Sequence, residues 1–166
     1  SFGIIVTKQH YPDMKSKCET NLNYRITYNQ NGLLSVVLYN YQYSGGAHGG
    51  TAQISYTFDL STGKTLDLSA LMKEDASYIS YINSAIRTEI DKRTADGDLM
   101  ELVTSKFETV GEKPDYYLNG DSVVFYFQQY EYFPYAAGIQ EFPLKYRELE
   151  DMLKDGYVPL LAEPEE

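Results

Sequence analysis

Residues 21–43 read NLNYRITYNQNGLLSVVLYNYQY and have the pattern of a β-hairpin. In the first arm, apolar or aromatic side chains alternate with mostly polar ones, and the alternating positions are Leu22, Tyr24, Ile26 and Tyr28. A period of two is typical of a β-strand, so these four side chains are expected to share one face. The dipeptide Asn31-Gly32 suits the positive φ angles of a tight hairpin turn, and residues 34–43 form the second arm.

The segments on either side of this hairpin continue the β pattern. Residues 2–7 are a short β-like run, followed by a Tyr11-Pro12-Asp13 turn signal. Residues 51–60 alternate again, and the positions that share a face are Ile54, Tyr56 and Phe58. A turn at residues 61–64 and a short extended return at residues 65–68 follow. The first half of the chain is therefore predicted to be an antiparallel meander.

After the meander the hydrophobic period becomes that of a helix. Residues 75–93 carry isoleucine at helical spacing, at positions 79, 82, 86 and 90. Asp75 is the expected N-cap, and Glu89 can pair with Arg93 four residues later. A weaker helical pattern follows, formed by Leu99, Leu102, Val103 and Phe107. We expect the isoleucine stripe of the first helix to pack on the sheet.

Strand patterns return in the last third of the chain, at residues 116–118, 122–130 and 138–142. Asn119-Gly120 marks a second hairpin. Residues 144–153 predict a short helix that ends before Gly156, with Leu149, Met152 and Leu153 inward, and the tail is expected to fray. The chain is therefore predicted to be one α+β domain over residues 1–166, an antiparallel sheet with one long packed helix and a short C-terminal helix.

Composition limits the classes of partner. The chain of 166 residues is 43% apolar, which suits a folded domain. Its 24 acidic and 14 basic residues give a formal net charge of −10. This charge disfavours nucleic acids and anionic lipid surfaces, because both are negative, and it favours encounter with a basic protein. Cys18 is the single cysteine, so an internal disulfide is excluded.

Residue types that carry catalysis are sparse. The two histidines are His10 and His48, and no Gly-x-Ser-x-Gly motif surrounds a serine. His48 can ligate a metal only if distant carboxylates join it, and an acid/base pair among the many carboxylates can be recognised only in three dimensions. We therefore predict a protein that is not an enzyme, with no catalytic residues, no cofactor and no metal site.

The loop at residues 44–50, SGGAHGG, is a candidate binding element. Its glycines permit backbone conformations that other residues avoid. It lacks the Gly-Lys-Ser/Thr ending of a phosphate-binding loop, and it joins two strands rather than opening a helix. Two interpretations stay open: a close-packed turn, with His48 fixing the loop by a hydrogen bond, or a loop that faces a ligand or partner.

A second candidate is the aromatic stretch YFQQYEYFPY at residues 126–135, in which six of ten residues are aromatic. Aromatic side chains after Tyr130 are expected in a loop, where they can stack on sugars or anchor a protein interface. The alternative is that they cover the core. The predicted ligand- or partner-binding residues are Tyr43, Ser44, Gly45, Gly46, His48, Gly49, Tyr130, Tyr132, Phe133 and Tyr135.

These stretches and their neighbours resemble a known family. The segments are YSGGAHG at residues 43–49, FDLSTGK at 58–64, LDL at 66–68, YLN at 117–119, VFYFQQYE at 124–131 and YAAG at 135–138. They are similar to a bacterial extracytoplasmic family of unknown function, the 3298 type. That family resembles the outer domain of lysozyme-responsive anti-sigma factors and domains that accompany polysaccharide deacetylases.

The resemblance implies a sensor or binding domain on the outer side of a Gram-positive-type cell envelope, at the cell surface or secreted. The implied partner is lysozyme or another basic protein. The alternative is a carbohydrate-binding accessory domain that recognises peptidoglycan beside a wall-modifying deacetylase, with a cell-wall glycan as partner. In either case, contact with the membrane is expected only through a segment outside this chain.

Overall fold

The computed structural model describes residues 3–7, 18–74 and 77–161. One antiparallel sheet follows chain order and contains β1 (Gly3–Thr7), β2 (Glu19–Gln30), β3 (Leu33–Tyr43), β4 (Gly50–Asp59) and β5 (Lys64–Thr65). A second antiparallel sheet contains β6 (Tyr116–Leu118), β7 (Ser122–Phe127) and β8 (Gln140–Lys145). The helices are α1 (Leu68–Leu71), α2 (Tyr78–Ala95), α3 (Tyr146–Leu149) and α4 (Val158–Leu161), with 3-10 turns at Tyr135–Ala137 and Glu150–Met152.

The predicted hairpin and meander are confirmed. Gln30 pairs with Leu33 across a turn in which Asn31 has φ 55° and Gly32 has φ 77°. Both angles are positive, as a two-residue hairpin turn requires. The short first strand is also present, whereas the turn signal at residues 11–13 lies outside the described residues. The predicted α+β class, with one long helix and a short C-terminal helix, is confirmed.

The second sheet is the middle of three layers. All six residues of β7 are buried. Val123, Phe125 and Phe127 belong to the core cluster that contains the isoleucines of α2, whereas Val124 and Tyr126 pack with Val37 of the five-stranded sheet. A strand buried on both faces has a continuous apolar sequence, as SVVFYF does. Each large side chain buried there stabilises the fold by about 1.5–3 kcal/mol.

Helix α2 packs on this sheet through the predicted stripe. Ile82, Ile86 and Ile90 are fully buried. Glu89 and Arg93 form the predicted ion pair, with Oε1 and Nε 2.7 Å apart. The helix begins after Ser77 rather than at Asp75, which lies outside the described residues. Among the described residues, no helix combines the length and apolar character needed to cross a membrane.

The predicted helix over residues 99–107 is wrong. This segment is irregular: Leu99 and Phe107 are buried, but Val103 is 91% exposed. Tertiary hydrogen bonds replace helical ones, since Leu102 N donates to Tyr132 O and the Glu101 carboxylate accepts from Phe107 N. The same carboxylate pairs with Arg87 of α2 at 2.8 Å. These contacts satisfy backbone N–H and C=O groups of the segment without a helix. The apolar spacing therefore predicted a helix that does not form.

Three element boundaries also differ from the prediction. β7 ends at Phe127 rather than at residue 130, and α1 occupies part of the expected extended return. β8 continues to Lys145, so the predicted helix over residues 144–153 is reduced to α3 and the 3-10 turn that follows. Leu149 and Leu153 nevertheless point inward as expected, with exposures of 0% and 1%.

In β4, the face of the five-stranded sheet that meets the second sheet is the polar one. Gln53 and Thr57 of β4 are 2% exposed, whereas Ile54 and Tyr56 are 42% and 44% exposed. A bulge between Ile26 and Tyr28 also splits the predicted shared face of β2, because Ile26 is 43% exposed and Tyr28 is 4% exposed. Alternation therefore located the strands correctly but did not indicate which face is buried.

Hydrogen bonding explains this reversed polarity. Strand β6 lies against the inner face, and Leu118 N donates to Ser35 Oγ at 3.1 Å. Ser55 Oγ donates to Tyr116 O at 2.5 Å and lies 3.0 Å from the Tyr126 hydroxyl. Burial raises the pKa of Tyr126 to about 12, against the opposing effect of the Ser55 hydrogen bond. An edge strand that is buried needs such partners for its backbone, so hydroxyl side chains occupy the inner face.

We expect Ser35→Ala to destabilise the fold more than Ile54→Thr. Loss of the Ser35 hydroxyl leaves the buried Leu118 N–H without its acceptor, which costs about 1–3 kcal/mol. Ile54 is half exposed, so its replacement should change stability by about 0.5 kcal/mol or less. Urea unfolding of both variants measures the difference. Equal losses, or the reverse order, would show that the inner face does not depend on this hydrogen bond.

Candidate functional site

A cleft of about 620 Å³ opens between the glycine loop and the segment after β7. Its volume lies within the range of about 300–1,000 Å³ typical of ligand pockets. The residues that line it are Asn40, Gln42, Ser44, His48, Gly49, Gly50, Thr51, Ala52, Gln128, Gln129, Tyr130 and Tyr135. They come from the end of β3, the loop, the start of β4 and the residues that follow β7, so both candidate segments contribute.

Two glutamine side chains join the walls of the cleft. Gln129 Oε1 accepts from Thr51 N at 2.9 Å. Gln128 Oε1 accepts from Gln53 N at 3.0 Å, and Gln128 Nε2 donates to Gln53 O at 2.7 Å. These amides bond to the start of β4 as a neighbouring strand would, and so cover its exposed edge. The glycine loop is thereby held in a fixed position relative to Tyr130.

Three aromatic rings form a ledge beside the cleft, composed of His48, Tyr135 and Tyr130. The rings of His48 and Tyr135 stack with centroids 3.9 Å apart and planes 23° apart. Tyr130 lies 5.6 Å from Tyr135 at 31° and is 57% exposed. Gly49 O accepts from the Tyr135 hydroxyl at 2.7 Å and from His48 Nδ1 at 3.1 Å. The Gly49 carbonyl group therefore holds two of the three rings in position.

The backbone of Tyr130 is strained. Its φ is 66°, a left-handed conformation that costs a residue other than glycine about 1–3 kcal/mol. The turn around it is held by reciprocal bonds, because Gln128 N donates to the Glu131 carboxylate and Glu131 N donates to Gln128 O. The strained residue therefore carries an exposed ring of the ledge, and this ring presents an apolar surface to solvent.

Gly49 and His48 support both interpretations of the glycine loop, one each. It is buried, and a Cβ built on it would lie 2.4 Å from atoms Cζ and Oη of Tyr41. The loop is therefore close-packed at Gly49, as one interpretation requires. The neighbouring His48 is exposed and faces the cleft, as the other requires. The hydrogen bond expected to fix the loop through His48 is present, from Nδ1 to Gly49 O.

The structure brings together half of the predicted binding residues. Ser44, His48, Gly49, Tyr130 and Tyr135 line the cleft, whereas Tyr43 ends β3 and is half-buried, and Gly45 and Gly46 lie in the adjoining loop.

Two predicted site residues pack with the core instead: Phe133 lies within it, and Tyr132 is partly buried against it. Phe133 is fully buried, and its ring packs near Phe142 at 6.2 Å. Tyr132 meets Phe107 edge-on at 5.6 Å and Phe127 at 4.9 Å. The chain after Tyr130 turns back over the core, so these two rings cover the end of β7 and only Tyr130 and Tyr135 reach the cleft.

Sequence reasoning missed the polar lining. Asn40 and Gln42 occupy alternate positions of β3, opposite Ala52 and Gly50 of β4. They share the outer face of the sheet with Leu38 and Ile54, and only the assignment of that face as the solvent side could have identified them. Asn40 Oδ1 is a buried acceptor for which the described part of the chain supplies no hydrogen-bond partner.

Of the described residues that line the cleft, none is Asp, Glu, Lys or Arg, although the protein has a net charge of −10. Two carboxyl groups with raised pKa lie elsewhere, around a smaller cavity of about 120 Å³. Burial raises the pKa of Asp115 and of Glu131, and the charge of Asp115 raises that of Glu131 further. Within the described ranges, no three His, Cys, Asp or Glu side chains are grouped to hold a metal ion. Because no charged side chain is among the described residues of its lining, the cleft is suited to a neutral ligand.

Two families match separate parts of this chain. Residues 69–147 match the family described as "Protein of unknown function (DUF3298)", and residues 6–51 match the family described as "Deacetylase PdaC". The predicted resemblance to the 3298-type family is thereby confirmed. The similarity to anti-sigma factors stays a prediction.

Known proteins extend these matches. The peptidoglycan-N-acetylmuramic acid deacetylase PdaC of Bacillus subtilis is 29% identical over 147 residues, covering 84% of this chain and 30% of that protein. The chain therefore spans about a third of that relative's length. A DUF3298 structure from Bacteroides fragilis superposes with a TM-score of 0.67 at 22% identity, covering 82% of this chain and 55% of that one. Another from Pseudomonas aeruginosa gives 0.64 at 21%, covering 81% and 61%. The two structures share the fold.

Proposed function

Taking the chain as a DUF3298-type domain related to PdaC, we propose that it is an extracytoplasmic, non-catalytic module that binds a neutral cell-wall glycan in the cleft. The observation that carries the proposal is the combination of an aromatic ledge with a lining free of Asp, Glu, Lys and Arg. The relative named as a peptidoglycan deacetylase supports an accessory role beside such an enzyme. The chemistry would then belong to another domain.

Sugar recognition requires an apolar surface next to hydrogen-bonding groups. A pyranose ring presents a face of C–H bonds, which packs on an aromatic ring, and it presents hydroxyl groups at its edge. Tyr130 and the His48–Tyr135 stack provide the aromatic surface. Asn40, Gln42 and other side chains of the lining can both donate and accept hydrogen bonds. Because Gly49 O already fixes two of the rings, binding loses little side-chain entropy.

The test is calorimetric titration of the domain with a soluble N-acetylglucosamine oligomer. Tyr130→Ala should weaken binding about tenfold, equivalent to about 1.4 kcal/mol, because it removes the exposed ring of the ledge. Tyr81→Ala is the matched control, since Tyr81 lies on α2 and is 38% exposed. Equal effects of the two variants, or no binding by the native domain, would contradict the proposal.

A basic protein such as lysozyme is the second candidate ligand, and the net charge of −10 favours it. Salt separates the two candidates. Affinity for a basic protein falls as salt rises, because the charges are screened over about 8 Å at physiological ionic strength. Affinity for a neutral glycan changes little. Tight, salt-sensitive binding of lysozyme without glycan binding would replace the glycan proposal with a sensor function.

A further inference from the structure

We infer that the cleft selects the N-acetylated form of an amino sugar over the deacetylated amine, an inference that rests on the proposed glycan-binding function and deepens it. The two forms differ at one substituent. The acetamido group is neutral and carries a methyl group, an N–H donor and a carbonyl acceptor. The free amine is protonated below its pKa and then carries a full positive charge.

The lining offers no opposite charge to an ammonium group. Transfer of a charged group from water into a cleft costs free energy that only an opposite charge or several hydrogen-bond acceptors can offset. Within the described part of the chain, the residues that line this cleft include no carboxylate. The nearby acids are engaged outside it: Glu131 Oε2 accepts from Gln128 N at 2.8 Å, and Glu141 Oε1 accepts from Gln53 Nε2 at 3.5 Å.

The lining does offer partners for an acetamido group. The hydrogen bond from Thr51 N to Gln129 Oε1 holds the side-chain amide of Gln129 in position. The Nε2–H donors of Gln129 are then available to a carbonyl oxygen of the ligand. Asn40, Gln42 and Ser44 also line the cleft, and side chains of these types can accept a hydrogen bond from an acetamido N–H. The Ala52 side chain and the ring ledge are apolar surfaces for the methyl group.

This preference means that the domain binds the glycan before the glycan is deacetylated. A deacetylase consumes the acetamido group and leaves the amine on the glycan. A module that holds the acetylated form, and releases the amine, would keep a linked catalytic domain on sugar that has not yet reacted. The class of ligand is therefore a neutral N-acetylated glycan, the substrate form rather than the product form.

Titration with two oligomers of equal length tests the inference, one of N-acetylglucosamine and one of glucosamine. The pH is kept below the pKa of the amine, and the salt concentration at about 0.15 M, so that the distant acidic groups are largely screened. We expect the acetylated oligomer to bind at least about tenfold more tightly. Equal binding, or tighter binding of the amine, would overturn the inference and leave the proposed function standing. If neither oligomer binds, both fall.

The variant Gln129→Glu probes the cause of the preference. It keeps an oxygen that can accept from Thr51 N and adds a carboxylate to the lining. We expect the affinity for the amine oligomer to rise about tenfold and the preference to shrink accordingly. Thr94→Glu adds the same charge on the exposed surface of α2 and should leave the preference unchanged. Equal shifts in the two variants would attribute the effect to net charge and overturn the role of the lining. If Gln129→Glu does not fold, the affinities of the native protein for the two oligomers decide the inference.

Discussion

Truncation of Phe127 to Ala should lower the free energy of unfolding by about 3–5 kcal/mol. The ring is 5% exposed and contacts four other aromatic side chains, those of Phe107, Tyr132, Phe133 and Phe142, at centroid distances of 5.3, 4.9, 6.4 and 5.5 Å. Its removal leaves a cavity where β7, β8 and the irregular segment before β6 meet. A small domain has a total stability of about 5–15 kcal/mol, so a loss of this size is a large fraction of it.

Thermal and urea unfolding measure the effect. Tyr56→Ala is the control, because it removes a ring of similar size that is 44% exposed on the outer face of the sheet. We expect that variant to lose much less stability than Phe127→Ala. Because Phe127 directly precedes Gln128 and Gln129, the partly destabilised variant should also bind the glycan more weakly. Similar losses for Phe127→Ala and Tyr56→Ala would contradict the three-layer core.

Replacement of Gly49 by Ala is expected to weaken glycan binding at least about tenfold and to destabilise the fold by about 1–3 kcal/mol. The new Cβ would lie 2.4 Å from Tyr41 Cζ, far inside van der Waals contact. Either Tyr41 or the loop must move. Gly49 O accepts from both Tyr135 and His48, so movement of the loop disturbs the stacked pair at once. Calorimetric titration and urea unfolding measure the two effects.

A glycine of the same loop outside the lining is a matched control. A Cβ on Gly46 comes no nearer than 3.9 Å to the carbonyl oxygen of His48, so Gly46→Ala should bind and fold nearly as the native protein does. Combining Gly49→Ala with Tyr41→Leu relieves the clash, and the double variant should be more stable than the sum of the single effects predicts. If the two glycine variants behave alike, or the pair shows no coupling, the close approach of Tyr41 does not shape the cleft.

Local patterns were sufficient for much of the fold. Asn31-Gly32 determines a hairpin because few other dipeptides adopt two positive φ angles easily, and the structure has that turn. The isoleucines of α2 determine a helix with one buried face because 3.6-residue spacing aligns them, and three of them are fully buried. The β-like pattern of residues 122–130 likewise located β7, whereas the burial of this strand on both faces follows from the packing of the layers.

Longer-range contacts decided the rest. The alternation of β4 predicts that the strand has two faces, but it does not predict which face is buried. The hydroxyl-rich face is the buried one because β6 needs hydrogen-bond partners there. In the same way, Leu99 and Phe107 are buried without a helix. Glu101 of that segment accepts a hydrogen bond from Phe107 N, and Arg87 and Tyr132 contact the segment from elsewhere in the chain. No local pattern contains that information.

By itself, the sequence determined the α+β class, the hairpins, the isoleucine stripe and the two segments that form the cleft, because periodicity and turn chemistry act between residues close along the chain. The packing of the layers selects which aromatic rings line the cleft. It placed Tyr130 and Tyr135 on the ledge and Phe133 in the core, and it brought Gln128 and Gln129 to the edge of β4. Those glutamines bond to residues more than seventy positions earlier, and such pairings depend on how the layers pack.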